Sequence, residues 1–121
     1  MLNLPASVEI YISNKPVDMR KGFDGLSAIV RNQFGRNIFS GHLFVFLSKS
    51  LYQVKILWWE RGGLAIYSKR LEKGRFKLPD VKDSSTCVSM DTTELSMLLD
   101  GIDFNKVKRP KHWEPPKQSA M

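Results

Sequence analysis

The first part of the chain changes from an alternating to a helical pattern of apolar residues. Every second residue from Val8 to Ile12 is aliphatic, which predicts a strand with one face buried. Over residues 18–34 apolar side chains recur every three or four positions, Asp18 is a candidate helix cap, and Gly35 is a suitable terminator. We therefore predict a strand followed by a helix over residues 18–34.

The middle of the chain predicts an antiparallel β-meander over residues 43–78. Its strand-like segments cover residues 42–48, 52–59, 64–71 and 75–78. Gly62-Gly63 is predicted to form the tight hairpin turn, because glycine accepts a positive φ, and Lys73-Gly74 a second turn. Trp58 and Trp59 are consecutive and must point to opposite faces. We expect at least one of them in the core, and an exposed one would mark a partner or nucleic-acid surface.

The last third contains a loop, a helix and a tail. Residues 80–90 are polar and predict a loop in which Val88 is the one anchor. Asp91 and Glu94 form a capping-box pattern, and the leucines that follow predict a helix over residues 91–102.

These elements predict an α+β fold: an antiparallel meander of four to five strands with two helices packed on it. The 18–34 helix is expected on one face of the sheet and the 91–102 helix at its end. Residues 1–104 would form this single domain, and residues 105–121 a flexible, basic, proline-containing tail.

Composition supports one globular domain and excludes several classes of protein. The chain has 121 residues, of which 42% are apolar and 26% charged. The longest apolar runs are far below the roughly 18 residues that span a bilayer, and no basic flank precedes an apolar stretch at the N-terminus. The single cysteine, Cys87, excludes an internal disulfide framework and cysteine-rich metal sites. We expect a cytoplasmic protein with no membrane contact.

Charge is distributed unevenly along the chain. The net charge is +7, and residues 49–82 alone hold nine basic and three acidic groups. Residues 83–103 hold five acidic groups and no basic one, whereas residues 104–121 hold five basic and one acidic. A basic middle and a basic tail are typical of proteins that contact phosphate backbones. The alternative is that the charge serves solubility alone.

The sequence offers no positive case for catalysis, a metal site or a cofactor. Strand-transfer chemistry needs two or three carboxylates around a divalent metal, but the candidate Asp and Glu residues read more simply as helix caps or ion-pair partners. Cys87 is distant in sequence from both His42 and His112, so no nucleophilic triad is indicated. Gly62-Gly63 lacks the strand, helix and Lys-Ser/Thr context of a phosphate-binding loop.

Basic residues near the predicted strands are the candidate contacts for nucleic acid or a protein partner. The candidates, including those in the first helical turn and the tail, are Arg20, Lys21, Lys55, Lys69, Arg70, Lys73, Arg75, Lys77, Lys108, Arg109 and Lys111. Pairing of residues 64–71 with 75–78 would bring several of them onto one phosphate track. The alternatives are that the lysines only solvate the outer face and that Asp24 pairs with Arg20 or Lys21.

Three segments carry a resemblance to a known family. They are Asp18-Met-Arg-Lys-Gly-Phe-Asp-Gly-Leu26, Ser40-Gly-His-Leu-Phe-Val-Phe46 and Lys69-Arg-Leu-Glu-Lys-Gly-Arg-Phe76. Together with Lys55-Ile-Leu-Trp-Trp-Glu60 and the leucine-rich residues 95–103, they resemble the TnpB-type accessory protein, the second open reading frame, of IS66 insertion sequences. The resemblance covers about residues 5–104. The turn at residues 47–50 departs from it, because an arginine-rich turn is common there.

The resemblance implies a protein that is encoded beside a separate transposase and assists transposition. The expected partners are therefore the transposase and companion proteins of the same element, together with DNA. A protein-interaction module that docks onto the transposase without touching DNA is the main alternative. A small nuclease has the least support, since no carboxylate cluster is visible. Oligomeric state is left open by the sequence.

Overall fold

A computed structural model of the protein describes residues 7–79 and 87–103. The helices are α1 (Phe23–Ile29) and α2 (Thr92–Leu99). The strands are β1 (Ile10–Ser13), β2 (Leu43–Leu47), β3 (Gln53–Glu60), β4 (Gly63–Arg70) and β5 (Cys87–Met90). They form one sheet in the order β4-β3-β2-β1-β5. The predicted α+β class is confirmed, and the strand count fits the prediction.

The sheet is mixed and not wholly antiparallel. β1 runs parallel to β2, with Ile10 opposite Leu43, whereas the three other neighbouring pairs are antiparallel. A parallel pair requires a crossover connection, because the chain must return to the end of the sheet where the first strand began. Here α1 and the turns that follow it provide the crossover and cover one face of the sheet.

Two apolar clusters lie on opposite faces of the sheet. Leu26 and Ile29 of α1 pack with Phe44, Phe46 and other residues on what we name the α1-side face. On the α2-side face, Leu95 and Leu98 pack with residues that include Ile12, Val45 and Ile56. The helix predicted at the end of the sheet therefore covers a face, and the fold has three layers. All four residues of β1 are buried, because β1 is covered on both faces.

α1 begins five residues later than predicted. Asp18 organises a turn instead of capping a helix: its carboxylate accepts the Arg20 N–H at 2.9 Å, and its carbonyl accepts the Lys21 N–H at 3.1 Å. Arg20 and Lys21 therefore precede the helix and do not lie in its first turn. Gly25 leaves room for this turn, since a β-carbon there would lie 3.0 Å from Lys21 Cβ.

The other end of the first helical segment agrees with the prediction. After α1 the chain continues as a single π-helical stretch, Val30–Phe34. Gly35 then takes the left-handed conformation with φ 63°, as expected for a helix terminator.

The meander is confirmed for β2, β3 and β4 and is wrong for residues 75–78. The hairpin turn is Arg61-Gly62 and not the predicted Gly62-Gly63, because Gly63 already pairs with Glu60 in the ladder. Gly62 has the positive φ, 85°. Residues 75–78 form no strand, and β4 has no second neighbour among the described residues. Instead the fully buried Phe76 anchors this segment, and its N–H donates to the carbonyl of Leu51 at 2.8 Å.

β5 occupies part of a segment that the sequence pattern assigned to a loop. It pairs with β1 so that Met90 lies opposite Ile10 and Cys87 opposite Ser13. Only Val88 and Met90 supply apolar alternation there, which is too short a signal to predict a strand without its partner. The strand exists because β1 offers it an edge.

The capping box of α2 is confirmed. The Glu94 N–H donates to Asp91 Oδ1 at 2.7 Å, and the Asp91 N–H donates to Glu94 Oε1 at 3.1 Å. Gly101 closes the helix with φ 74°. The predicted tail, residues 105–121, lies outside the described residues, as do Lys108, Arg109 and Lys111. In the part of the chain that is described, no helix is long and apolar enough to cross a membrane.

Replacing Phe76 tests its role as the anchor of residues 71–79. Phe76→Ala is expected to lower the free energy of unfolding by about 3–5 kcal/mol, because it deletes a fully buried ring. Urea denaturation measures the change. The exposed neighbour provides the control, since Lys77→Ala should shift stability by no more than about 0.5 kcal/mol. Equal effects of the two substitutions would show that Phe76 anchors nothing.

Candidate nucleic-acid interface

Three connecting segments meet at one end of the sheet. β1 and β2 end there, β3 begins there, and β4 returns there, since Gln53 pairs with Arg70. Residues 14–22, 48–52 and 71–79 therefore lie side by side. Backbone hydrogen bonds join them: the Val17 N–H donates to the Leu47 carbonyl at 2.9 Å, and the Leu71 N–H donates to the Tyr52 carbonyl at 2.8 Å.

We name this region the basic end of the sheet because it collects cationic side chains. Its residues 14–22, 48–55 and 69–79 contain Lys15, Arg20, Lys21, Lys49, Lys55, Lys69, Arg70, Lys73, Arg75 and Lys77. The same segments contain two acidic residues, Asp18 and Glu72. All eight candidate residues that the structure describes belong to this set. They come together around the end of the sheet and not along one strand-to-strand track.

Lys55 has a positioning role inside the basic end. Its ammonium group donates to the carbonyl of Met19 at 2.8 Å and to that of Lys21 at 3.0 Å. Lys55 lies on β3, on the α1-side face, since its neighbour Leu57 belongs to the cluster there. The side chain therefore ties residues 19–21 to the sheet.

Lys69 and Arg70 point to opposite faces of β4, as consecutive strand residues must. Lys69 donates to the carbonyl of Leu99 at 2.7 Å, at the C-terminal end of α2, where the helix dipole favours a cation. Arg70 pairs with Glu72 at 3.0 Å, and both side chains are largely exposed. These two cations cannot share one face.

Arg20 pairs with Asp18 and not with Asp24. Its guanidinium donates to Asp18 Oδ2 at 2.7 Å and to Oδ1 at 3.1 Å. These side-chain hydrogen bonds, with the Arg20 backbone N–H, lower the pKa of Asp18 to about 2. Asp18 is therefore ionised at neutral pH. The Arg20 side chain remains 91% exposed. The pair fixes the guanidinium at the surface without withdrawing it from solvent.

Arg75 is held against an aromatic ring. Its guanidinium carbon lies 4.1 Å from the centre of the Tyr52 ring, and Nη1 donates to the carbonyl of Ser50 at 3.1 Å. Both residues are exposed. A cation and an aromatic surface are thereby presented together, an arrangement that suits contact with a phosphate and a neighbouring base.

The remaining cations of the basic end lie at the surface. Lys21, Lys49, Lys73 and Lys77 are exposed. Lys49 lies in the turn at residues 47–50 and was not among the predicted contacts, nor was Lys15. Lys49 lies in the turn between β2 and β3, at the end of the sheet to which β4 returns. Lys15 joins it there because β1 ends beside β2, which the sequence pattern did not indicate.

A groove of about 800 Å³ opens at the basic end. Residues 16–19, residues 48–50 and Gln53 line it. Asp18 and Lys49 contribute opposite charges to its lining, so the groove itself is not a simple anion site. On the α2 side, Gly101 packs near Leu71, which places the acidic C-terminal end of α2, including Asp100, along the border of the basic end.

The residues whose chemistry could serve catalysis do not come together in the described part of the chain. Glu60 and Glu72 lie near opposite ends of the β3–β4 hairpin. Cys87 lies opposite Ser13 at the basic end, whereas His42 precedes β2 at the other end of the sheet. Burial raises the pKa of the Cys87 thiol, which disfavours the thiolate. Within residues 7–79 and 87–103, no group of three His, Cys, Asp or Glu residues could hold a metal ion.

The two tryptophans of β3 are both half-buried. Trp58 packs against the cluster on the α2-side face. Trp59 lies on the other face, where its ring meets that of Phe39 edge-to-face at 5.0 Å between centres. Neither tryptophan is fully in the core, although Trp58 packs against it. Phe39 is 61% exposed and leaves an aromatic patch at the end of the sheet opposite the basic end.

Comparison of the sequence with known proteins gives a family match. The sequence profile described as IS66 Orf2-like protein matches residues 8–109. Two proteins of Sinorhizobium fredii (strain NBRC 101917 / NGR234) are similar over nearly their whole length. The uncharacterized protein y4jC is 32% identical over 97% of this chain and 98% of its own, and the uncharacterized protein y4hO is 33% identical over the same shares. No solved structure matches significantly.

Lys55→Met tests whether this side chain holds residues 19–21. The substitution keeps the aliphatic stem and removes the donor to two carbonyls, so we expect a loss of about 1–2 kcal/mol in the free energy of unfolding. Amide hydrogen exchange at residues 19–22 should also accelerate. Lys49→Met is the control, because Lys49 is exposed. Unchanged exchange at residues 19–22 in Lys55→Met would contradict the positioning role.

Proposed function

The chain belongs to the IS66 Orf2-like protein family, whose members have an accessory role in transposition, and we propose that it is a non-catalytic, DNA-associated factor. In this proposal it works in the cytoplasm beside the transposase of its own element. The basic end of the sheet contacts the DNA, and the carboxylates serve the fold and no chemistry.

The observation that carries the proposal is the excess of cations at the basic end. Ten basic and two acidic residues meet there, where three chain segments converge. Duplex DNA carries one negative charge per roughly 1.7 Å of helix axis, and its condensed counterions are released when protein cations replace them. Exposed lysines on a firm scaffold are well suited to this exchange. The mounting of Arg75 on Tyr52 keeps one guanidinium in a fixed place.

The arrangement favours backbone contact over sequence reading. Base edges in the major groove are usually read by an exposed helix or a two-stranded ribbon. Here α1 and α2 pack on the two faces of the sheet, and most of the cations lie on the segments between elements, with Lys55, Lys69 and Arg70 on the strands. Contacts of this kind position a protein on DNA and carry little sequence information. We therefore expect similar affinities for unrelated duplexes.

The DNA-contact proposal predicts how binding depends on salt concentration. The double variant Lys73→Gln/Lys77→Gln should bind duplex DNA more weakly. The negative slope of log affinity against log salt concentration should become shallower by roughly 0.9 for each phosphate that the variant no longer neutralises. Fluorescence anisotropy over a salt series measures both. Arg31→Gln/Arg61→Gln removes the same charge from exposed sites outside the basic end and should leave the slope nearly unchanged.

The same variants separate DNA contact from protein docking. If Lys73→Gln/Lys77→Gln binds DNA as the wild type does but no longer retains the transposase in a pull-down, the basic end is a protein-docking surface. That result would favour the interaction module over the DNA-associated factor. A uniform effect of both double variants would instead show that only net charge matters and would remove the basic end from the proposal.

The proposal also predicts that the protein has no catalytic activity on DNA. The pure protein with Mg²⁺ or Mn²⁺ should neither nick nor join supercoiled or linear DNA. Metal-assisted strand cleavage requires several carboxylates around the metal ions, and the described residues bring no such group together. Gel electrophoresis after prolonged incubation is the measurement. Cleavage that disappears in Glu60→Gln or Glu72→Gln would overturn the non-catalytic assignment. The unmodified transposase, assayed under the same conditions, controls for the substrate.

A further inference from the structure

The outer edge of β4 is a long, regular strand edge. β4 pairs with β3 through eight consecutive residues and without a bulge. On its other side it has no neighbour within residues 7–79 and 87–103. Exposed edges are usually protected by proline, a bulge or a central charge. β4 has none of these from Gly63 to Ser68, and its charges begin at Lys69.

The backbone groups that β4 directs away from β3 can be assigned. Leu71 extends the register of β4 and donates its N–H to the Tyr52 carbonyl of the neighbouring chain segment. In an antiparallel ladder alternate residues bond to the same neighbour. The odd-numbered residues of β4 therefore bond to β3, and the even-numbered ones direct their N–H and C=O groups outward. The outward residues are Leu64, Ile66, Ser68 and Arg70.

We propose that β4 pairs antiparallel with β4 of a second copy of the chain, about a two-fold axis at Ile66. In this register Leu64 of one copy lies opposite Ser68 of the other, so three consecutive outward residues bond in each copy. Tyr67, which is 38% exposed, lies opposite the small Ala65 of the other copy. Large side chains thus face small ones across the axis.

Charge complementarity also supports a second copy of the chain as the partner of β4, in the same register. Lys69 of one copy lies opposite Gly63 of the other, and Gly63 pairs with Glu60 on β3. Lys69, Gly63 and Glu60 then form one row on the α2-side face, with nothing on Gly63 to separate the charges. The row spans two strand spacings, roughly 10 Å between backbones, which two long side chains can bridge. Lys69 uses one donor for the Leu99 carbonyl and has two more.

The dimer has a consequence that rests on the proposed function. A two-fold axis perpendicular to the sheet reverses β4, so the two basic ends lie at opposite ends of one ten-stranded sheet. Each basic end can then contact a separate duplex. The dimer therefore bridges two DNA segments, which a single copy with one basic end does not do.

Cysteine crosslinking tests the register. Ala65→Cys and Tyr67→Cys, each in a Cys87→Ser background, are mixed and oxidised. The two positions form a non-hydrogen-bonded pair with Cα atoms about 4.5 Å apart, within the range of a disulfide. We expect a disulfide-linked dimer in the mixture and much less in either variant alone. Ser96→Cys, exposed on α2, is the control and should not link. No linkage in the mixture, or equal linkage in the single variants, overturns the register.

Sedimentation equilibrium tests the dimer itself. The wild type should have twice the chain mass of 13.9 kDa. Ser68→Pro removes an outward N–H that β3 does not use and should give a monomer, whereas Ser68→Ala should remain a dimer. A monomeric wild type at every concentration overturns the proposal. The crosslinking decides the matter independently if Ser68→Pro does not fold.

Capture of a labelled duplex by a bead-bound duplex tests bridging. The wild type should capture it, and Ser68→Pro should bind a single duplex but lose the capture. A dimer that binds no DNA would refute the proposed function and leave the pairing of β4 standing. A monomer that binds DNA would refute the pairing of β4 and leave the proposed function standing.

Discussion

The parallel pairing of β1 with β2 brings the cations of residues 14–22 to the end of the sheet where the other cations lie. Because the two strands run in the same direction, both end at the same end of the sheet. The crossover between them places α1 on one face, and the short turn after β2 sends β3 back from that end. β4 then returns to it. The parallel pair thereby adds residues 14–22 to residues 48–55 and 69–79, which the antiparallel meander brings together.

Gathering so many cations has an electrostatic cost, which the structure reduces locally. Like charges at close range destabilise a folded state through repulsion. Asp18 and Glu72 each neutralise an arginine, and the ammonium groups of Lys55 and Lys69 bind backbone carbonyls. The cations thus divide into those that hold the basic end together and those that remain exposed. The acidic end of α2 lies along one border and confines the positive surface to the other sides.

Local patterns were sufficient to predict most elements of this fold. The alternation in β3, the capping box of Asp91 and the glycine at position 35 each depend on neighbours in sequence. The predictions were wrong where a distant partner or a competing side-chain contact decides the structure. β5 exists because β1 has an edge, residues 75–78 follow the burial of Phe76 and not a ladder, and α1 starts late because Arg20 pairs with Asp18. The basic candidates were found by charge, but the placement of Arg20 and Lys21 beside the others needed the parallel strand pair.

Whether the basic end is the surface that touches DNA can be read from the amide NMR spectrum of the ¹⁵N-labelled protein during titration with a short duplex. We expect the largest shift changes at residues 15–21, 48–50 and 71–77, because the exposed cations lie there. The opposite end of the sheet, around Phe39 and Arg61, should change little. Changes concentrated around Phe39, Trp59 and Arg61, with the basic end unaffected, would contradict the assignment of the DNA-contacting surface.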